Sequence, residues 1–214
     1  MSRNQAAHVG VMTRPHAPII LGFHGCDRSI GTQAISGELE LIPSDQGHDW
    51  LGPGIYFWEG DPVRAREWAE NKAGRTPGMA PFVIGAAIDR GHCLDLTSRG
   101  DIELVRGIHA GLVSSLSKEG KPVPQNRNAR GDPSRDELLR NLDCAVIRYL
   151  HDEIELEFSS IGGNTALKPF DSVRALFREG DPIYPNSGFY ERTHTQIAVR
   201  SLKCIKGVFL PRLS

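Results

Sequence analysis

The chain has 214 residues, which is long enough for one domain with a sizeable hydrophobic core. Its formal net charge of −1 excludes a global positive field that would attract nucleic acid, although a local basic patch stays open. The polar N-terminal residues contain no apolar signal-peptide core, and the sequence has no apolar run of membrane-spanning length. We therefore expect a cytoplasmic protein with no membrane partner.

The cysteines and histidines predict neither a disulfide framework nor a metal centre. No two cysteines have the Cys-x-x-Cys spacing, which favours reduced, mostly buried thiols. The eight histidines are scattered and form no His-x-x-x-His pattern, so we predict no metal. The four isolated cysteines are Cys26, Cys93, Cys144 and Cys204.

The first ordered part of the chain is predicted to be a strand followed by a short helix. An apolar run from 18 to 23 is typical of a buried strand, and it ends in His24-Gly25-Cys26. Ser29 is then predicted to cap a brief helix that a glycine ends.

The next stretch combines a tight turn with several aromatic residues. A Gly-Pro-Gly turn at 52–54 leads directly into a β-rich run over 55–58. Asp61 is predicted to cap a helix whose first residue is a proline, where the missing N–H costs nothing. Tyr56 on the strand and Trp68 on the helix can form two walls around a flat heteroaromatic ring. The alternative is that both are ordinary core aromatics.

The rest of the chain alternates predicted strands, helices and turn-rich loops. Its predicted elements are, in order, a strand over 82–88 with a second piece at 93–96, an amphipathic helix from Asp101, a surface loop over 117–133, a second amphipathic helix from a capping box at Ser134, a short helix from Asp171 or Ser172 to Gly180, and two strands over 193–200 and 204–210.

Strands at both ends and a mostly helical middle predict an α+β fold. We expect a flexible N-terminal segment over 1–17 and a single domain over 18–214, with a helical insertion at about 98–180.

Three short motifs follow one another in a fixed order. They are His24-Gly25 at the end of a strand, the run Gly-Ile-Tyr-Phe at 54–57, and the run His-Thr-Gln-Ile at 194–197 on a late strand. This arrangement resembles the diphtheria-toxin and poly-ADP-ribose-polymerase-like branch of the ADP-ribosyltransferase superfamily, which carries a His-Tyr-Glu triad on three strands. The resemblance implies a split β-sheet core and a catalytic domain that uses NAD as a co-substrate.

The resemblance also assigns binding roles to individual residues. His24 would donate a hydrogen bond to a ribose hydroxyl, and the backbone of Gly25 would pair with the nicotinamide carboxamide. Tyr56 and Trp68 would stack on the nicotinamide ring, and Phe57 belongs to the same NAD-binding set. His24 and Tyr56 also count as catalytic, because the site must hold the ribose while positive charge develops on it.

The third triad position is where this sequence departs from the family pattern. The matching residue is Gln196, whose oxygen can accept a hydrogen bond from the ribose 2′-hydroxyl, but without the charge assistance that roughly doubles its strength. A glutamine cannot act as a general base either. Glu191, five residues earlier, is the predicted substitute that contacts or deprotonates the acceptor. Whether Gln196 or Glu191 is the third member of the triad stays open.

These residues predict an NAD-dependent mono-ADP-ribosyltransferase that releases nicotinamide. The resemblance suggests a bacterial toxin or anti-phage defence effector that modifies a protein or nucleic acid and is accompanied by an antitoxin or immunity protein. One alternative is an NAD glycohydrolase, with water as the acceptor. Another is a catalytically weak module that only binds NAD or a nucleotide. The near-neutral charge argues mildly against a nucleic-acid acceptor, but basic residues do cluster at 118–130.

Overall fold

The computed structural model describes residues 19–134, 136–160, 162 and 168–212. The predicted flexible segment over 1–17 lies outside this described part of the chain. None of the described helices is both long enough and apolar enough to cross a membrane.

The described residues form nine strands and four α-helices. The strands are β1 (Ile20–Asp27), β2 (Ile55–Glu59), β3 (Pro81–Ile88), β4 (Cys93–Asp95), β5 (Asn126–Arg127), β6 (Leu139–Arg140), β7 (Ser172–Phe177), β8 (His194–Val199) and β9 (Ile205–Phe209). The helices are α1 (Arg28–Ser36), α2 (Pro62–Ala73), α3 (Arg99–Lys118) and α4 (Asn141–Ser160).

Seven of the strands form one mixed sheet. Their order is β4-β7-β8-β2-β1-β3-β9, while β5 and β6 make a separate two-stranded ladder. Within the large sheet the β4–β7 pair is parallel and the other pairs are antiparallel. The predicted α+β class is therefore confirmed, with one continuous sheet rather than two separate ones.

The sheet is weakly joined between β1 and β2. Strand β1 pairs with β3 along its whole length, but its pairing with β2 is limited to Gly22 with Glu59 and Phe23 with Trp58. From His24 onward the edge of β1 that faces β2 is not part of this ladder. The opening that results separates the two predicted motif strands.

Helices cover both faces of the sheet. Helix α1 lies on the face that carries Phe57 and Ile84, where the largest cluster of buried side chains forms. Helix α2 covers β1 and β3 on the opposite face, beside Phe23 and Trp58. On that same face α3 and α4 cover the β4, β7 and β8 side, where Leu150 is fully buried. A groove therefore remains between α2 and α4, above β2 and β8.

The predicted start of α2 is confirmed, whereas α1 begins two residues earlier than predicted. Asp61 accepts a hydrogen bond from the Arg64 N–H at 2.9 Å, and Pro62 is the first helical residue. In α1 the cap is Asp27 rather than Ser29, because the Asp27 carboxylate accepts the Ser29 N–H at 2.8 Å. The positive end of the helix dipole also stabilises a carboxylate at this position.

Two predicted helices are wrong in extent or in type. The helix expected from the capping box at Ser134 begins only at Asn141, where the Asn126 side chain accepts the Leu142 N–H at 3.0 Å. The helix expected from Asp171 or Ser172 to Gly180 is strand β7 instead. Its side chains alternate between the two faces, and it pairs with both β4 and β8. The insertion at about 98–180 therefore ends in a strand of the main sheet.

All four cysteines are buried, as the isolated spacing predicts. Burial raises the pKa of the Cys26 and Cys204 thiols to about 11, so neither is an activated nucleophile at neutral pH.

Candidate functional site

A cleft of about 1650 Å³ opens at the weak junction between β1 and β2. Its walls include five of the residues that the sequence singled out, namely His24, Gly25, Tyr56, Trp68 and Gln196. The cleft is larger than the ~300–1000 Å³ typical of small-molecule sites. It therefore has room for a dinucleotide and for part of a second reactant.

The His24 side chain reaches across the opening toward β2. Its Nδ1 lies 2.8 Å from the backbone oxygen of Tyr56. A carbonyl oxygen can only accept, so Nδ1 carries the proton. Burial lowers the pKa of His24, outweighing this hydrogen bond, which acts in the opposite direction. The neutral ring then offers Nε2 as an acceptor, which reverses the predicted direction of its hydrogen bond to a ribose hydroxyl.

Gly25 lets α2 approach the sheet at the cleft. A Cβ at this position would lie 2.3 Å from the backbone oxygen of Ala65 and 3.2 Å from Cε3 of Trp68. Any larger residue would push the helix and its tryptophan outward. Gly25 therefore sets the distance between Trp68 and the strand backbone.

Tyr56 is tied to the turn that precedes its own strand. Its hydroxyl accepts the Leu51 N–H at 2.9 Å and donates to the Gly52 carbonyl at 2.8 Å. Gly52 has a φ of +76°, which favours glycine, and a Cβ there would lie 2.8 Å from the Ile147 side chain. Burial raises the pKa of Tyr56, so the hydroxyl stays protonated. The ring is a rigid wall rather than an acid or base.

Gln196 lies on the same face of the sheet as Tyr56. In the β2–β8 ladder it pairs with Trp58, and Tyr56 pairs with Ala198. The Gln196 side-chain oxygen accepts a hydrogen bond from the Trp50 indole N–H at 2.6 Å. A carbonyl oxygen has a second lone pair, so the Gln196 oxygen can still accept a hydrogen bond from a ligand hydroxyl in the cleft.

Trp68 contacts Trp58 rather than forming a simple pair with Tyr56. The two indole rings have centroids 6.0 Å apart and planes tilted by 52°. The Lys72 ammonium also lies 4.7 Å from the centre of the Trp68 ring, in a cation–π contact. A ring that stacks on the face of Trp68 near Lys72 must displace this ammonium.

Two of the predicted site residues lie outside the cleft. Phe57 is 0% exposed in the core of the opposite face, because neighbouring residues on a strand point to opposite sides. Glu191 is exposed in the turn before β8, where its carboxylate accepts the Asp181 N–H at 3.3 Å. Neither Phe57 as an NAD-binding residue nor Glu191 as the acceptor-side acid is supported by this placement.

Sequence reasoning missed a group of charged side chains at one end of the cleft. Glu179 accepts a hydrogen bond from Arg64 at 2.7 Å, and its other oxygen lies 3.4 Å from Arg192. Only 9% of the Glu179 side chain is exposed. His194 packs beside it, with Nδ1 at 3.8 Å from the carboxylate. Glu179, Arg64, Arg192 and His194 all line the cleft.

The sequence contains a signal for His194 but a misleading one for Glu179. His194 is two residues before Gln196, so period-two alternation on a strand predicts that both face the same side. Glu179 falls at the end of a segment that was expected to be helical, and strand β7 carries it to the cleft instead.

Within the described residues, no group of three or more His, Cys, Asp or Glu side chains is placed to hold a metal ion. The absence of a metal remains a prediction from the sequence.

Comparisons with known proteins add one distant relative. The chain is 26% identical over 196 residues to an uncharacterised protein of Methanocaldococcus jannaschii. That alignment covers 86% of this chain and 80% of the relative. No protein-family model matches the chain, and no solved structure does. The case for a function therefore depends on the geometry of the cleft.

Proposed function

We propose that this protein cleaves NAD, releases nicotinamide and transfers the ADP-ribosyl group to a macromolecular acceptor. The observation that carries the proposal is the meeting of three residues from three adjacent strands. His24 of β1, Tyr56 of β2 and Gln196 of β8 line one cleft, together with Gly25 and Trp68. This is the arrangement that the resemblance to the ADP-ribosyltransferases leads one to expect.

The walls of the cleft support the binding half of the proposed reaction. Tyr56 and Trp68 supply aromatic surface for the nicotinamide ring, and offset stacking adds roughly 0.5–1.5 kcal/mol per ring pair. The backbone of Gly25 lies beyond the last β1–β2 pair and carries no side chain to block a carboxamide. His24 Nε2 accepts a hydrogen bond from a hydroxyl of the ribose next to the nicotinamide.

The chemical half requires stabilisation of positive charge on the ribose. As the bond from C1′ to the nicotinamide nitrogen breaks, the electron pair leaves with nicotinamide and the ribose becomes oxocarbenium-like. Gln196 holds the 2′-hydroxyl through its oxygen, and Trp50 fixes the orientation of that oxygen. Such preorganised hydrogen bonds act most strongly where water is excluded.

A second candidate function is a nucleotide-binding module with little catalytic activity. It is favoured by one observation, the bond from Trp50 to the Gln196 oxygen, because an uncharged oxygen that already accepts one strong hydrogen bond stabilises a cation weakly. NAD hydrolysis is the same cleavage reaction with water, instead of a macromolecule, as the acceptor of the ADP-ribosyl group.

The test is to incubate the purified full chain with NAD and to separate the products by chromatography. We expect nicotinamide release that His24→Ala lowers by at least about 10²-fold. Binding of NAD by calorimetry without any release would select the nucleotide-binding module. Absence of both would refute the NAD proposal.

The acceptor and the biological role need separate measurements. Labelled NAD incubated with fractionated cell protein, RNA and DNA identifies which class takes up the label. A toxin or phage-defence effector should arrest bacterial growth when expressed, and His24→Ala should relieve the arrest. Harmless expression of an active protein would argue against a toxin and against an antitoxin partner.

A further inference from the structure

Three buried nitrogen atoms of residues that line the cleft have no hydrogen-bond partner among the described residues. They are Nε of Arg64, Nε1 of Trp58 and Nε2 of His194, and the last two belong to neighbouring aromatic rings. The Trp58 residue is 4% exposed, and the His194 side chain is 1% exposed. Buried polar atoms are nearly always hydrogen-bonded, so the unpaired nitrogens of two neighbouring rings at a cleft point to a ligand group.

The protonation of His194 follows from its other nitrogen. Nδ1 lies 2.6 Å from the backbone oxygen of Arg192, which can only accept, so Nδ1 carries the proton. Nε2 is then a lone-pair acceptor aimed away from Arg192. The imidazole is held by stacking on Phe177, with centroids 5.5 Å apart, and by the nearby carboxylate of Glu179. A base whose ring is oriented by a fixed partner is the arrangement that proton-abstracting histidines need.

The two nitrogens together define the chemistry of the group that they bind. The indole N–H of Trp58 can only donate, and Nε2 of His194 can only accept. A single atom that satisfies both must accept one hydrogen bond and donate another, as a hydroxyl oxygen does. A guanidinium has donors only and would leave the Trp58 N–H unpaired. The Trp58 and His194 rings are neighbours in the cleft wall, with centroids 6.3 Å apart.

We propose that His194 is the general base for the acceptor and that the acceptor is a hydroxyl group, held between His194 Nε2 and Trp58 Nε1. This proposal rests on the proposed NAD cleavage and names the class of acceptor for it. The acceptor oxygen forms a bond to C1′ of the ribose as the bond from C1′ to nicotinamide breaks. The hydroxyl proton moves to His194 Nε2, and the electron pair of the broken bond leaves on nicotinamide.

The position of His194 suits this role better than that of Glu191. His194 and Gln196 lie two residues apart on one face of β8, so the base is next to the residue assigned to the ribose. Both unpartnered nitrogens are shielded from solvent, so the surrounding rings must move to admit an acceptor oxygen. That shielding excludes bulk water and strengthens the hydrogen bonds to the acceptor.

The test uses nucleophiles that differ in whether they carry a proton. Methanol stands in for a hydroxyl acceptor and must lose a proton, whereas azide attacks C1′ without losing one. The key variant is His194→Asn, because the asparagine amide can still donate to the Arg192 carbonyl but offers no base at the Nε2 position. The control is Thr195→Val, since Thr195 lies on the same strand and is not part of the cleft wall.

We expect His194→Asn to lower product formation from NAD with water and methanol by about 10²–10⁴-fold, the usual contribution of a general base. Azide should restore ADP-ribosyl azide formation in this variant to within about threefold of the wild-type protein. Trp58→Phe keeps an aromatic ring but removes the N–H, and it should weaken the reactions with water and methanol while leaving the azide reaction unchanged. Thr195→Val should leave all three reactions unchanged.

Each other outcome overturns the proposal in a recognisable way. Equal losses with methanol and azide would show that His194 is structural. No loss with either nucleophile would show that it takes no proton. If the wild-type protein releases no nicotinamide with any nucleophile, the proposed NAD cleavage fails and this assignment fails with it.

Discussion

The Nδ1 atom of His24 lies 2.8 Å from the backbone oxygen of Tyr56, across the place where strands β1 and β2 stop pairing. A side chain here takes the position of a ladder hydrogen bond. The bond fixes the tautomer of the imidazole and holds the two motif strands at the separation that makes the cleft. We therefore expect loss of the His24 ring to affect both the proposed ribose contact and the shape of the opening.

The first prediction concerns His24 itself. His24→Asn keeps a donor near the Tyr56 carbonyl but removes the Nε2 acceptor, so nicotinamide release should fall by about 10²-fold while the protein stays folded. The exposed His109 on α3 provides a control, and His109→Asn should behave like the wild-type protein. A folded His24→Asn variant with normal nicotinamide release would show that His24 is not part of the proposed triad.

The second prediction separates Gln196 from Glu191. Gln196→Ala removes the proposed contact to the 2′-hydroxyl, so turnover of NAD should fall by about 10²–10³-fold with nearly unchanged binding. Gln196→Glu restores a charged acceptor and should preserve cleavage. Glu191→Gln should leave release within about twofold, because the Glu191 carboxylate lies outside the cleft. Kinetics with calorimetry on the three variants will show whether the roles are instead exchanged.

The third prediction concerns the hydroxyl of Tyr56. Tyr56→Phe removes two hydrogen bonds, to Leu51 and to Gly52, and leaves the Leu51 N–H unpaired beside the core. The free energy of unfolding, measured by urea denaturation, should fall by about 1–3 kcal/mol. NAD binding should change little, because the ring remains. An unchanged unfolding midpoint would mean that this turn is held by other contacts.

The fourth prediction concerns the buried charge of Glu179. Glu179→Gln removes the carboxylate that Arg64 and Arg192 share, while Arg64 keeps Glu67 and Arg192 keeps Asp136. Breaking a fully buried ion pair typically costs about 3–5 kcal/mol, so with these remaining partners we expect a smaller loss of about 1–3 kcal/mol. The matched control is Glu191→Gln, an exposed carboxylate with little expected effect on stability. Thermal unfolding of the two variants gives the comparison. Equal small losses would show that the cluster is screened by solvent.

The fifth prediction concerns stability at acidic pH and His151 of α4. Neither ring nitrogen of His151 has a partner among the described residues, and burial lowers its pKa from 6.5 to about 3. Between pH 6.5 and pH 3, His151 therefore binds a proton in the unfolded chain but stays neutral in the native protein. This residue's contribution to stability is lost as the pH falls toward 3, at roughly 1.4 kcal/mol per pH unit.

Replacing His151 should make the protein less sensitive to acid. His151→Leu removes the proton uptake and the unpaired nitrogens, so its unfolding free energy should exceed that of the wild-type protein by a margin that grows between pH 7 and pH 5. Urea denaturation at several pH values measures the margin. If the unfolding free energies of the two proteins change in parallel with pH, His151 titrates normally in the native state.

Local sequence signals determined the elements that their own residues stabilise. The start of α2 depends on Asp61 and Pro62, which act on groups within three residues, so the pattern predicts it correctly. The strand β2 follows a turn whose glycine tolerates a positive φ. The order of the His24, Tyr56 and Gln196 motifs is likewise readable from the chain alone, and it predicts the three strands that carry them.

Tertiary contacts decided the elements and site residues whose partners are distant in sequence. Helix α4 is capped by Asn126 from a separate ladder, and β7 is a strand because β4 and β8 pair with it. The same pairing brings Glu179 to the cleft and leaves Glu191 in an exposed turn. Hydrogen bonds between strands form only after the chain has folded. No pattern confined to one segment can therefore reveal which carboxylate lines the cleft or which nitrogen of His194 remains unpaired.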